Sequence, residues 1–419
     1  MNPIRWLMAS LLLHSMFGTS TPTWAGAPFV KTGIEVLRER NFDILKGKRV
    51  GLITNPTGVD SKLVSTIDIL ANAPGVQLVA LFGPEHGVRG SAAAGEVVES
   101  TIDQHTGLPV YSLYGKTARP TPEMLKNIDI LVYDIQDIGV RSYTFVSTMG
   151  LCMEAAAARK IPFVVLDRPD PLGGLRVEGT PVQKGFESFV SQYPIPYVYG
   201  ATPGELARVL NEQKLLAGGA VCSLRVVPMK GWKRTMMFTQ TGLPWVPTSP
   251  HIPEPDSPEY YVAMGILGEL GAFSEGVGYT LPFKMFGAQW IDEQKLADVL
   301  NAKKTPGVLF RPVVFRPFYG HDANKDVHGV QIHIIDPITL PSLMAIQFLM
   351  LEAHHQLYPD RNVFGSDSTR IARFDKVAGT DRVRKAFQRR WKWDDARPVV
   401  ESGVAEFRAL LKKYWLYQP

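Results

Sequence analysis

Short apolar runs rich in β-branched residues recur through the first half of the chain, each bounded by Gly, Pro, Asn or Asp. They predict strands over 49–53, 77–82, 130–133 and 162–166, with a shorter extended piece near 193–198. Between them, the apolar spacing predicts helices over 63–72, 121–127, 144–159 and 204–213. The last of these carries its own start signal, with Thr202 as N-cap, Pro203 at the first helical position and Glu205 in the first turn. Continuously apolar strands alternating with helices suit a parallel sheet covered on both faces, so the first half reads as α/β.

The pattern changes after about Leu224. Pro, Trp and Gly crowd the stretch from Met229 to Pro282, and beyond it strands are expected over 308–312 and 330–335, with helices over 292–303, 340–358 and 380–391. A chain of 419 residues exceeds what one core usually organises. Two domains are therefore expected, 26–224 and a smaller α+β domain over 225–419.

The first 25 residues fit neither domain. Arg5 precedes an apolar stretch over 6–17, interrupted by His14, and Thr23-Trp24-Ala25 precedes Gly26. That is the layout of a signal peptide cleaved near Ala25, and its apolar run is too short to span a bilayer. No Cys follows at a lipoprotein cleavage position. A periplasmic or secreted protein without a stable membrane anchor is expected.

Composition narrows the picture only a little. With 45% apolar and 20% charged residues the chain has the balance of a soluble globular protein. The net charge of +5 is modest, and its densest run, Arg382, Arg384, Lys385, Arg389, Arg390 and Lys392, reads as a solvated helix face. No nucleic-acid-binding module accompanies it, so no nucleic-acid partner is expected. Cys152 and Cys222 lie in apolar surroundings and read as free buried thiols, although an exported protein permits their pairing.

Candidate chemistry collects where the strands end, because an open parallel sheet binds ligands beyond the carboxyl ends of its strands. The first strand runs into Asn55-Pro56-Thr57-Gly58, the second into Pro84-Glu85-His86-Gly87. The third runs into Asp134, Asp137, Arg141 and Tyr143, and the fourth into Asp167-Arg168-Pro169-Asp170. Singly, each has a structural explanation: Asn55 and Asp170 hold turns, Asp134 caps a helix, and Asp167 with Arg168 forms an ion pair. Together, four apolar strands ending in polar groups between rigid Gly and Pro neighbours describe a prepared site.

Glu85 stands out, because Pro84 and Gly87 fix its backbone and the apolar strand before it implies partial burial, which favours a proton-donating carboxyl. His86 either orients a substrate or stabilises the loop. Ser249, His251, Tyr279 and Lys284 lie on the later Pro-rich and aromatic loops, which suit a sugar or a domain interface equally. The first strand is not followed by GxGxxG, and neither GxSxG nor HExxH occurs; no cofactor and no metal are expected.

These segments also carry a family resemblance. GLITNPTGVD at Gly51, FGPEHGVRG at Phe82, YDIQDIGVRSYTFVSTM at Tyr133, LDRPDPLGG at Leu166 and VEGTPV at Val177 are similar to motifs of the exo-β-N-acetylmuramidase family. PIPYVYGATPGELA at Pro194, WVPTSPHIPEPDS at Trp245, SEGVGYTLPF at Ser274, FGAQWID at Phe286 and GVQIHIID at Gly329 extend it through nearly the whole chain beyond residue 50. The chain departs from the usual pattern at His251, where Asn is commoner, and at His328, where Cys is commoner.

The resemblance implies a Rossmann-like domain joined to a smaller domain, with the active site in the cleft between them. It implies exo-lytic release of N-acetylmuramic acid from the non-reducing end of peptidoglycan fragments, with the Glu of the GPEHG motif, here Glu85, as the leading catalytic candidate, read here as the general acid. Glycoside hydrolysis needs a second group on the opposite ring face, and Asp137, Asp134 and Glu178 are the candidates. The lactyl carboxylate of muramic acid calls for a cation, and Arg141, Arg168 and Lys284 are available. Two rivals remain open: a metal-dependent amidase or deacetylase drawing on His86, His251, His328, His333 and the aspartates, and a non-catalytic sugar-binding protein.

Overall fold

The computed structural model describes residues 30–90, 100–365 and 367–419, so the expected signal peptide lies outside the described residues. Seven strands form the main sheet: β1 (Arg49–Thr54), β2 (Gln77–Gly83), β3 (Thr101–Ile102), β4 (Pro109–Ser112), β5 (Ile130–Asp134), β6 (Phe163–Leu166) and β7 (Leu224–Val227). Their order is β3-β4-β2-β1-β5-β6-β7, and all neighbours are parallel except the short edge pair β3 and β4. The chain thus winds outward one way from β1 and then the other way from β5, placing the reversal of strand order between these two strands.

Helices cover both faces, as continuously buried strands require. On one side α1 (Gly33–Glu39) and α2 (Thr66–Ala71) bury Ile34, Leu37, Ile67 and Leu70 against Val50, Leu52 and Val132. On the other, α3 (Phe145–Arg159) and α4 (Pro203–Glu212) bury Met149, Cys152, Leu206 and Leu210 against Tyr133, Phe163 and Val165. The start of α4 is as the sequence signals: Thr202 Oγ1 accepts from Glu205 N, and the Glu205 carboxylate returns to Thr202 N.

The second sheet is antiparallel, with β8 (Met285–Ala288), β9 (Val308–Phe315) and β10 (Val327–Ile334) in the order β8-β10-β9. Around it pack α5 (Ser257–Gly268), α6 (Glu293–Ala302) and α7 (Leu343–Leu357). Short helices follow: α8 (Ser368–Ala378), α9 (Arg382–Phe387), α10 (Trp393–Val400) and α11 (Val404–Leu411). The architecture is thus α/β with a smaller α+β part. Its apolar interior is shared, because Tyr133, Phe145 and Tyr197 of the first part lie in one core with Val262, Ile266 and Phe348 of the second.

Several expectations change in detail. The boundary set at Leu224 cuts through β7, which pairs with β6, so the first sheet continues to Val227. The tail then returns to the first domain: the Tyr417 hydroxyl donates to Asp167 at 2.5 Å, and Leu416 N to Glu205 at 2.8 Å. Residues 121–127, read as a helix, form turns after Pro120. The single helix expected over 380–391 stops at Phe387, and the extended piece near 193–198 contributes only isolated bridges from Val198. Cys152 and Cys222 are free and buried, and burial pushes both thiols above their usual range, Cys222 to about 11.

Candidate active site

The reversal point between β1 and β5 is where an open α/β sheet ordinarily takes its ligand. Here it is filled by the protein itself. Arg168 Nε lies 2.5 Å from Asp134 Oδ1, and Arg168 Nη2 donates to Asp134 Oδ2 at 3.0 Å and to Val59 O at 2.8 Å. Thr66 Oγ1 donates to the same Asp134 carboxylate at 2.5 Å. Asn55 Oδ1 is taken by Thr57, and the space left beside Thr57, Gln136 and Arg168 is about 20 Å³.

A roomier opening than this lies one strand outward. A cleft of about 310 Å³ is lined from the first domain by Glu85, His86, Tyr114, the Ser142 to Phe145 loop, Phe189 and Val190. From the second domain come Ser249, His251, Ile252, Tyr261, Glu269 and Phe283. Of the residues singled out in the sequence, the structure therefore gathers Glu85, His86, Tyr143, Ser249 and His251 in one place.

Glu85 sits half-buried just past the end of β2. The two residues after it, His86 at φ 72° and Gly87 at φ 74°, are left-handed, and a left-handed residue with a side chain is strain of the kind held at functional sites. Thr144 Oγ1 donates to Glu85 Oε2 at 2.9 Å. Tyr114 is hydrogen-bonded to the same carboxylate; burial and that negative charge push its hydroxyl up to about 12. Two hydroxyls from different loops thus fix the direction of the Glu85 carboxyl.

From the second domain the cleft is lined by Glu269, the residue that ends α5. Burial raises it above the ordinary carboxylate range, while Arg373 and Arg370 pull the other way. The Glu275 carboxyl is close to this end of α5, since a Cβ on Gly268 would meet it at 3.8 Å, and burial pushes it up to about 7. One carboxyl thus reaches the cleft from each domain.

Aromatic rings make the walls. Tyr143 meets Phe145 and Tyr261 edge-on at 5.0 and 5.7 Å, Tyr261 meets Phe283 at 5.0 Å, and Tyr114 lies 6.1 Å from Phe189. Their polar tips are tied down: Tyr143 OH lies 2.7 Å from Thr248 Oγ1, and Ser142 Oγ lies 3.2 Å from both Tyr197 OH and Tyr261 OH. His251 Nε2 is 2.9 Å from Tyr319 OH, and burial together with nearby His86 lowers its proton affinity. A neutral imidazole follows at neutral pH.

The remaining sequence candidates are placed elsewhere, each for a visible reason. Asp137 is buried behind the wall, accepting from Tyr199 OH at 2.7 Å and from the Ile138 and Gly139 amides at 2.6 and 2.9 Å. Glu178 serves as the anion at the start of α7, bonded to Ser342 Oγ, Leu343 N and Met344 N and paired with Arg176. Asp167 binds Thr202, Gly204 N and Tyr417. Tyr279 packs on Phe315 and Phe318.

None of the three expected cations lines the cleft either. Arg141 is fully buried and donates to the carbonyls of Thr180, Ile195 and Val377 at 3.0, 2.6 and 2.8 Å, and to Ser191 Oγ. Arg168 is held by Asp134, and Lys284 Nζ by Glu254 and Asp256. Of the histidines named for a metal site, His328 faces Glu293 and His251 faces Tyr319. Among the described residues no three of His, Cys, Asp or Glu converge as a ligand set.

Glu269 was missed in the sequence because α5 lies inside the Pro-rich stretch read as loops. Its helix is apolar nearly all round, so no amphipathic period announces it. The one available signal is the acidic residue closing the apolar run YYVAMGILGEL.

Strand-end loops of a parallel sheet meeting a second domain across an aromatic, two-carboxylate cleft define a two-domain α/β protein shaped for a small polar ring. The comparisons agree. Family models for the N- and C-terminal parts of the exo-β-N-acetylmuramidase NamZ match residues 50–256 and 259–417, and the chain belongs to that family. It is 43% identical over 411 residues to the peptidoglycan β-N-acetylmuramidase NamZ of Bacillus subtilis (strain 168), covering 96% of this chain and 97% of that protein. Two crystal structures of DUF1343-family proteins from Bacteroides fragilis share its fold, each covering 93% of this chain and 99% of their own. One has a TM-score of 0.89 at 56% identity, the other 0.76 at 30%.

Proposed function

We propose that this protein is an exo-acting glycoside hydrolase that releases N-acetylmuramic acid from the non-reducing end of peptidoglycan fragments. The observation that carries it is the pairing of Glu85 and Glu269 in one aromatic cleft, in a chain belonging to the NamZ family. At about 310 Å³ the cleft is at the small end of the roughly 300–1,000 Å³ typical of small-molecule sites, which suits a terminal sugar.

Glu85 gives its proton to the glycosidic oxygen as the bond to the anomeric carbon breaks, and the leaving sugar departs with the bonding electrons as a neutral alcohol. The hydroxyl of water ends on the anomeric carbon, and its remaining proton replenishes the carboxyl pair. Glu269 is the second group that oxocarbenium-like chemistry requires, and a carboxylate held above its ordinary pKa is the stronger base. Thr144 and Tyr114 position Glu85, while the rings of Tyr143, Tyr261 and Phe283 offer faces and edges to the sugar.

Two defined saccharides test the reading. One ends in N-acetylmuramic acid at the non-reducing end, the other in N-acetylglucosamine. Free N-acetylmuramic acid from the first and no cleavage of the second is the expected result; internal cleavage of either contradicts it. We further propose that residues 1–25 export the protein, which then acts in the periplasm or outside the cell. N-terminal sequencing of the exported protein should begin near Gly26, and a retained Met1 would refute this.

A further inference from the structure

Beside the cleft the loop between β9 and β10 carries two large aromatic side chains in the open, Phe318 at 68% and Tyr319 at 53% exposure. Burying such rings is worth more than exposing them, so a pinned loop that holds them outward needs a reason. The loop is pinned. Phe318 N donates to Gly278 O at 2.7 Å and Asn324 N to Pro317 O at 2.8 Å. Gly278, at φ 91°, has no room for a side chain, since a Cβ would lie 2.0 Å from the Tyr319 carbonyl.

Tyr319 joins the cleft through His251, and Phe318 is its neighbour on the same pinned loop. His251 lines the cleft and stacks on Tyr319, with centroids 6.2 Å apart and planes 27° from parallel. Phe318 stacks on Tyr279 at 6.0 Å and 23°. An exo-acting site closes around the terminal ring, so whatever the cleft mouth offers meets the sugar on the leaving side of the bond.

Resting on the exo-muramidase reading, we propose that Phe318 and Tyr319, with His251, form a stacking platform for the sugar that leaves. The platform makes the protein prefer saccharide leaving groups over small ones. Ring faces stack on the apolar face of a pyranose whatever its substituents, so the preference is for a ring and not for one particular sugar.

The test compares kcat/KM for a muramic-acid-terminated disaccharide with kcat/KM for the β-configured N-acetylmuramosyl fluoride, whose leaving group is a single atom. In the Phe318→Ala/Tyr319→Ala variant the disaccharide-to-fluoride ratio should fall about tenfold. Tyr319→Phe, which keeps the ring and loses the hydroxyl bond to His251, should retain most of the ratio. An unchanged ratio in the double variant overturns the platform and leaves these rings to a protein partner. An equal fall in Tyr319→Phe assigns the effect to the hydroxyl bond and overturns it as well. Wild-type protein that hydrolyses neither substrate overturns the muramidase reading itself.

Discussion

Thr144 Oγ1 donates to Glu85 Oε2 at 2.9 Å, so the first residue past the Ser142-Tyr143 turn fixes the carboxyl that ends the second strand of the sheet. The contact joins two loops that are 59 residues apart in sequence. Thr144 precedes α3 but its hydroxyl makes no capping bond there, so the hydroxyl is committed to Glu85 and not to the helix.

Replacing Thr144 by Val keeps the shape and removes the donor. A hydrogen bond contributes about 0.5–1.5 kcal/mol net, so losing this orienting contact should lower kcat by up to about tenfold with KM little changed. Thr144→Ser should recover most of the loss. Steady-state kinetics on a muramic-acid-terminated disaccharide decides it, and a change confined to KM would show that Thr144 binds substrate instead.

Glu269→Gln removes the second carboxylate at nearly constant volume. General acid–base groups contribute roughly 10²–10⁴ in rate, so kcat should drop at least about 100-fold in a protein with an unaltered melting temperature. Full activity would require a different partner for Glu85.

Arg141 was a natural candidate for the lactyl carboxylate, yet its guanidinium is spent on three carbonyls and the Ser191 hydroxyl, and burial lowers it to about 10. Arg141→Lys cannot meet those acceptors together. Breaking a buried charged network costs on the order of 3–5 kcal/mol, which a denaturation midpoint will show. The fraction that folds should keep its preference for muramic acid over glucosamine termini.

The same strand-end aspartates set a pH dependence of stability. Burial pushes Asp137 up to about 6 and Asp167 to about 7, from an ordinary 3.8. The folded protein therefore holds protons that the unfolded chain has released. The stability these groups supply is complete below about pH 4 and declines as pH rises through about 6 to 7. In urea titrations at several pH values, Asp137→Asn should flatten the decline relative to wild type; a steeper decline would contradict the assignment.

Much of the molecule was legible in the sequence because parallel strands advertise themselves. All four expected strands of the first sheet are present, and the polar residues that follow them do lie at one edge. What the pattern does not carry is direction. Asp134 and Arg168 end adjacent regions of the sheet and turn toward each other, closing the crevice between β1 and β5, whereas Glu85 turns outward on a left-handed His86. Nothing local distinguishes the two outcomes, since both segments are polar, Pro-bearing and preceded by an apolar strand.

The second domain was harder for a related reason. Its α5 is apolar on nearly every side and packs against α7 and α8, so it shows no periodic face. Glu269 at its end could be placed in the cleft only once the fold had brought the two domains together. His251 and Ser249, from the Pro-rich loops, line the cleft, while Lys284 shared that setting and turned to Glu254 and Asp256 instead.

The most direct measurement is the rate at which Glu85→Gln releases N-acetylmuramic acid from a muramic-acid-terminated disaccharide, compared with wild type at matched folding. Loss of about 100-fold or more in kcat, with substrate still bound, is the predicted result. Release by the glutamine variant at the wild-type rate would contradict the account, because a carboxamide has no proton to give the departing sugar.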